Sequence, residues 1–369
     1  MLLEFAFLGT SLFLLLEMSA RVYFFGFSGL IPAQINSNRG LPQTGYTRPA
    51  PSGSGLVFEL KSNLDGHFKF VPFRTNSQGL RDREYALEKP ENTFRVAVLG
   101  ASFALPAGVA IEHAFHSLLE ERLSEEFAPT RYEFINFAVG MYNPWQILAM
   151  LEQRALAYDP DLILVTATKL SAPWMVRSRT ASFKKAKRER SPDAVNTFRR
   201  SYPILRSHFY RLLLQRSGSR PEPGRLNLGI LEEFFMEMME SKGPSKNSVA
   251  ESAAEQRRGH LRPAGKAKNN HSEDSFIKQL ALIGKRAGVP VALIRLEFDP
   301  SERLPIDFEV ERMARANGVH HLDTRDAFVG TRPSDFWVNE LDPHPNREAH
   351  EIFARTVSAF LRSEGILSK

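Results

Sequence analysis

Ser102, Asp342 and His344 are the side chains of this chain whose types suit nucleophilic catalysis. A serine hydroxyl is a weak nucleophile until a base takes its proton, and an imidazole does so best when a carboxylate orients it. Asp342 and His344 stand two apart in Glu340-Leu341-Asp342-Pro343-His344-Pro345-Asn346. A proline on each side of His344 restricts its backbone, which suits an imidazole that must be held at one angle. Taken singly, these residues have plainer readings: a turn serine, an aspartate that starts a turn, a histidine that caps a helix. In a working triad Ser102 Oγ lies within hydrogen-bonding range of a His344 ring nitrogen, or one water away.

The elements that must position them are legible. Val96, Ala97, Val98 and Leu99 form a short apolar run of the length of a strand buried on both faces. Gly100 breaks the run, so Ser102 falls on the turn at the strand's carboxyl end, where open α/β sheets place their ligands. The helix expected next runs over 111–127, with Ile111, Phe115, Leu118, Leu119 and Leu123 at helical spacing. Asp342 and His344 are expected on a proline-stiffened loop before a final helix, with Asn346 as its N-cap and Gly365 as its stop. Strands are expected at 95–99, 132–137, 162–167, 289–294 and 320–322. Helices are expected at 144–158, 276–287 and 308–316. This βα alternation implies a doubly wound, flavodoxin-like parallel sheet with helices on both faces, a three-layer α/β fold. Gly140 then lies after the second strand, also at the carboxyl edge.

Outside this core the chain is uneven. Its 369 residues are 43% hydrophobic, enough for a substantial core, and include no cysteine, which excludes disulfides, thiolate zinc sites and a cysteine nucleophile. Residues 1–30 are the most apolar stretch and are expected to form a single uncleaved membrane anchor, with Tyr23, Phe24 and Phe25 near the headgroups. A buried helix is the alternative, because Glu17 and Arg21 interrupt the run. Residues 31–93, rich in Pro, Gly, Asn and Ser, read as a linker and surface segment, with edge strands at 56–60 and 67–71 and no chemistry of their own. The region 94–369 reads as the catalytic domain, interrupted by an insert at 176–270. That insert carries 21 Lys and Arg against 9 Asp and Glu, a net of +12, while the rest carries 27 against 33, a net of −6. Its KKAKRERSP run reads as disordered, and residues 204–215 and 226–240 as helices that cover a cleft, lie on a membrane or simply pack under a solvated charge run. Nucleic-acid binding is not expected, since no recognisable module accompanies the charge.

Three segments together resemble the SGNH (GDSL-type) hydrolases. GASFALPAGV stands where that family carries its nucleophile, INFAVGMYNPWQ where it carries its second block, and DPHPNREAH looks like its closing Asp/His block. NSQGLRDREYALEKPENTFRVAVLGASF also resembles membrane-anchored bacterial members. The resemblance covers roughly residues 76–175 and 275–365. It implies a serine esterase using Ser102, His344 and Asp342, with the N–H groups of Ser102 and Gly140 holding the oxyanion. The substrate it implies is an ester-bearing small molecule, glycan or lipid, such as an acylated cell-envelope carbohydrate, and the location periplasmic or extracellular. An acyltransferase would use the same residues, and a degenerate scaffold or glycan-binding protein would keep only the fold. Two departures from the family pattern stand out. Ala101 replaces the acidic residue before the serine, which puts the rigidity of the loop in question. The third block, LILVTATKLSAPW, lacks the family's oxyanion asparagine. Losing one oxyanion donor costs about a hundredfold or more in rate. Asn143, Thr168 and Lys169 are the candidate substitutes.

No cofactor or metal is called for. His320, His321 and Asp323 resemble ligands superficially, but adjacent strand residues point to opposite faces. His113 and His116 read as surface or packing residues, and His350 as facing along the last helix, away from the serine.

Overall fold

The computed structural model describes residues 2–25, 27, 30, 46–51, 54–56, 58–69, 71–167, 272–339 and 342–367. Apart from Ser272 they belong to the first of two units, Met1–Glu189 with Glu273–Lys369; the second is Arg190–Ser272. The insert expected at 176–270, with its two helices, lies outside the described residues.

The elements are α1 (Leu2–Phe25), β1 (Thr47–Pro49), β2 (Phe58–Leu60), β3 (Asp65–Phe68), β4 (Val71–Arg74), β5 (Thr93–Leu99), α2 (Phe115–Glu126), β6 (Arg131–Asn136) and α3 (Pro144–Gln153). There follow β7 (Leu162–Thr166), α4 (Ser272–Ala287), β8 (Val291–Arg295), α5 (Pro305–Ala316), β9 (His320–Asp323), β10 (Trp337–Asn339), β11 (Asp342–Pro345) and α6 (Arg347–Ser363). Five strands form one parallel sheet in the order β6-β5-β7-β8-β9. This is the doubly wound arrangement expected, with the order reversing beside β5, the strand that leads to Ser102. Every residue of β7 and β8 is buried, which explains their unbroken apolar sequences. Helices α2 and α6 pack against each other on one face, and right-handed crossovers put α3 and α5 on the other.

Gly100 is fixed by crowding: a Cβ there would stand 1.9 Å from Thr166 Oγ1 on the neighbouring strand. The final helix has the ends expected of it. Ala349 N–H donates to Asn346 Oδ1 at 3.0 Å, and Gly365 takes φ +65°.

Four local expectations are corrected. The helix expected over 111–127 is a 3-10 turn at Ile111–His113 followed by α2, because Ala114 is extended at φ −70°, ψ 145°. The helix expected over 144–158 stops at Gln153 and continues as a 3-10 turn, Ala155–Tyr158. Residues 67–71 are not one strand but the turn of the β3–β4 hairpin. Phe68 pairs with Val71, and Lys69 takes φ +51°. Asp342 and His344 lie not in a loop but in β11, which pairs antiparallel with β10.

The N-terminal stretch is helical, as α1, but no helix among the described residues is long and apolar enough to cross a membrane. Glu17 and Arg21 pair at 2.7 Å within α1, and Glu17 is buried. The expected span is therefore not found. Phe7, Leu8, Leu12 and Leu15 are exposed along the helix.

Candidate active site

Ser102 is half-buried on the turn that leaves β5. The turn is closed by backbone bonds from Leu105 N–H to Ala101 O (2.9 Å) and Ala107 N–H to Ser102 O (3.3 Å). From beneath, Asn136 Nδ2 donates to Ala104 O at 2.8 Å. Arg81, 1% exposed, donates to the carbonyls of Leu105 (2.7 Å), Pro106 (2.6 Å) and Val109 (2.7 Å). Four carbonyl and amide contacts thus do the bracing that an acidic residue at 101 would otherwise share, so Ala101 does not leave the turn slack.

Gly140 is buried in the loop after β6. Val139 N–H donates to Gly100 O at 3.2 Å, which sets this loop beside the serine turn. Neither the Ser102 N–H nor the Gly140 N–H has a hydrogen-bond partner among the described residues. Asn143 caps α3: Gln146 N–H donates to its Oδ1 at 3.0 Å, and Asn143 N–H donates back to Gln146 Oε1 at 3.1 Å. With Oδ1 committed to this capping box, an oxyanion role would fall to its Nδ2. Thr168 and Lys169 lie outside the described residues.

On the facing side, His344 Nδ1 lies 2.6 Å from Asp342 Oδ1, which also accepts the His344 backbone N–H at 3.2 Å. Burial alone would raise the Asp342 carboxyl. Hydrogen bonding to His344 and the charge of Lys69 outweigh it and hold the carboxyl well below the usual carboxylate range. The Phe103 ring, next to the serine in sequence, meets the His344 ring edge-on at 5.6 Å and stacks on Phe298 at 6.0 Å. These contacts bring the serine turn and the Asp/His strand to one place. The direct Ser102–His344 hydrogen bond expected of a triad is not among them. The Ser102 hydroxyl and His344 Nε2 both lack a partner among the described residues. The polar contacts of the ring are made by Nδ1, to Asp342 and Lys69.

The chain is similar to esterases of known structure. A variant of Axe2, an acetyl xylan esterase from Geobacillus stearothermophilus, matches at 13% identity and TM-score 0.39, over 75% of this chain and 96% of that one. TesA matches at 12% and 0.39, over 74% and 99%. A two-domain esterase active on acetylated mannans matches at 11% and 0.41, over 73% of this chain and 49% of its own. Scores at this level do not assign an activity. No family model matches the chain, and no curated protein matches it.

One residue of the site escapes sequence reasoning. Lys69, on the hairpin turn read as part of a plain edge strand, places Nζ 2.6 Å from Asp342 Oδ2 and 2.8 Å from His344 Nδ1. Burial pushes its ammonium below the usual lysine range, against the upward pull of Asp342. The only sequence signal was a lysine where two-residue turns usually carry Asn or Gly.

Three further histidines among the described residues serve packing or pairing. His350 does not run along a helix face but is fully buried, stacked on Phe115, with Nδ1 accepting Phe115 N–H at 3.3 Å. His116 is also buried, whereas His320 pairs with Glu364 at 2.6 Å. Among the described residues no group of three or more His, Asp or Glu is placed to hold a metal. A cavity of about 400 Å³ lies on the N-terminal segment between Arg48, Glu59, Gln78 and Arg154, none of them a residue of this site.

Proposed function

We propose that this protein hydrolyses esters through Ser102, His344 and Asp342. The observation that carries the reading is the 2.6 Å contact between His344 Nδ1 and Asp342 Oδ1, on a ring that meets Phe103 of the serine turn edge-on. Ser102 Oγ attacks the ester carbonyl carbon while its proton passes to His344 Nε2. Asp342 steadies the imidazolium that results. The N–H groups of Ser102 and Gly140 receive the oxyanion. The tetrahedral intermediate then expels the alcohol, which takes the proton from Nε2, and an acyl-serine remains. Water repeats the sequence and frees the acid; a sugar hydroxyl in its place would make the protein an acyltransferase.

The aromatic wall of Phe103 and Phe298 supports a substrate whose acyl part offers an apolar face, on a small molecule, a glycan or a lipid. The exposed apolar residues of α1 support attachment of residues 1–30 to a lipid surface, while a periplasmic or extracellular catalytic domain rests on the family resemblance of the sequence alone. Flotation of the full chain with phospholipid vesicles, lost in Leu12→Glu/Leu15→Glu, is the expected outcome.

The test of the chemistry is labelling of the purified full chain with a fluorophosphonate, followed by peptide mapping. Ser102 is expected to be modified, and His344→Ala is expected to abolish the reaction. The missing Ser102–His344 hydrogen bond favours a second reading, a scaffold that keeps the fold without the chemistry. An unlabelled but folded protein would establish that reading instead.

A further inference from the structure

We propose that Lys69 is a positioning residue for His344, contesting imidazole Nδ1 with Asp342 and so deciding which ring nitrogen holds the proton. The proposal rests on the reading of His344 as the base. A neutral imidazole carries one proton. If Nδ1–H donates to Asp342 Oδ1, the Nε2 lone pair faces outward and can take the serine proton. If Nδ1 instead accepts from the Lys69 ammonium, the proton sits on Nε2 and the base is lost. Both partners are within hydrogen-bonding distance, at 2.6 and 2.8 Å, and only one of them can be bonded at a time.

Lys69 is built into this position. Asp342 Oδ2 holds its Nζ at 2.6 Å, so the ammonium stays beside the ring. Its stem passes the serine turn closely: a Cβ on Gly108 would stand 3.5 Å from Lys69 Cδ and 2.9 Å from Val338 Cγ2. Its backbone, at φ +51°, lies in the left-handed region that Gly and Asn occupy at less cost. Strain of this kind persists where the surroundings over-determine it, and it clusters at functional sites. Among the described residues, the groups in contact with the His344 ring are Lys69 from the hairpin, Asp342 from its own strand and the uncharged Phe103 from the serine turn, while His350 on α6 acts on it only at a distance and burial keeps it neutral. Lys69 is therefore the cation among them. Its charge repels a positively charged ring. Loss of its proton on the alkaline side hands Nδ1 to Asp342.

The experiment uses the full chain, wild type, Lys69→Met and Lys69→Arg. It measures the rate of Ser102 labelling by a fluorophosphonate from pH 5 to 10. It also measures the ring ¹⁵N shifts of His344, assigned by difference from His344→Gln. In Lys69→Met the acid limb of the labelling profile is expected to move up by about one pH unit, because a neighbouring cation is gone. The alkaline rise is expected to vanish, and the ¹⁵N shifts to show the proton on Nδ1 at neutral pH. Lys69→Arg is expected to keep the wild-type acid limb without the alkaline rise. In the wild type the share of molecules with the proton on Nε2 rather than Nδ1 is expected to shrink as the pH rises from 7 to 10, a measurement that stands even if Lys69→Met does not fold. A folded Lys69→Met protein with wild-type profile and shifts would overturn the proposal, as would a wild-type tautomer that stays fixed across this range. If Ser102 is never labelled but the tautomer responds to Lys69, the proposal holds and the esterase reading falls.

Discussion

The turn from Ala101 to Val109 is tied down from beneath by the buried Arg81 and Asn136 and by its own backbone. The strand carrying Asp342 and His344 has one neighbour, β10, in a ladder three residues long on one side and four on the other. Its Asp342 and His344 side chains are held by Lys69 from the hairpin. So Ser102 sits on a part of the molecule whose geometry is over-determined, and His344 on a part whose geometry depends on charges. The difference teaches where variation can act. Changes to charge on the second side retune chemistry, while changes beneath the first dismantle the fold.

The sharpest test of this division is His344→Ala. It is expected to reduce Ser102 labelling by about a thousandfold, while the melting curve stays within about 0.5 kcal/mol of wild type, as surface changes do. A large stability loss would show that β11 is as deeply tied as the serine turn. Arg81→Met is expected to do the opposite. It strips hydrogen bonds from three buried carbonyls, each costing about 1–3 kcal/mol when left unpaired. Urea titration should show a loss of several kcal/mol, and labelling should fail with it.

Next in size is the pH dependence of stability. Burial lowers His116 and His350 to about 3 and His321 to about 4, while it raises Asp82 to about 7. Below pH 6.5 the unfolded chain takes protons on all three histidines that the folded chain refuses. The folded chain takes one on Asp82 that the unfolded chain has given up. The unfolded state therefore binds more protons, and stability falls as pH drops from about 6.5 to about 4. Asp82 opposes this trend, so Asp82→Asn is expected to steepen the fall in melting temperature. A flat melting temperature across that window would mean the layer beneath the serine is open to solvent. The smallest effect expected is that of Asn346→Ala, which removes the cap of α6 at a cost of about 1 kcal/mol, read by the same titration.

How much of this was legible follows from where each determinant lies along the chain. The sheet was, because strands buried on both faces advertise themselves as apolar runs such as 96–99 and 162–165, and a glycine and a serine mark the turn. Asn346 and Gly365 announced the ends of α6 by residue type alone. The Asp342–His344 contact was foreseeable because the two are near neighbours in sequence. Lys69 was not, since it stands 275 positions from His344 and is delivered by a hairpin whose turn has no Asn-Gly signature. The bracing by Arg81 was hidden for the same reason: an arginine satisfied by carbonyls leaves no matching acidic residue to notice. The exposed apolar face of α1 was visible in composition, whereas the pairing of Glu17 with Arg21 that goes with its failure as a span needed a helix to reveal it.

The distance in sequence between Lys69, Ser102 and His344 has a bearing on synthesis. A chain growing from its amino end makes the hairpin and the serine turn first, and can fold β5 and β6 around them. On the proposed mechanism its serine then has no base until some 240 further residues have been added. Throughout that interval the hydroxyl is an ordinary alcohol, inert toward the esters around it. Reactivity would thus arrive late, as a property of the finished sheet.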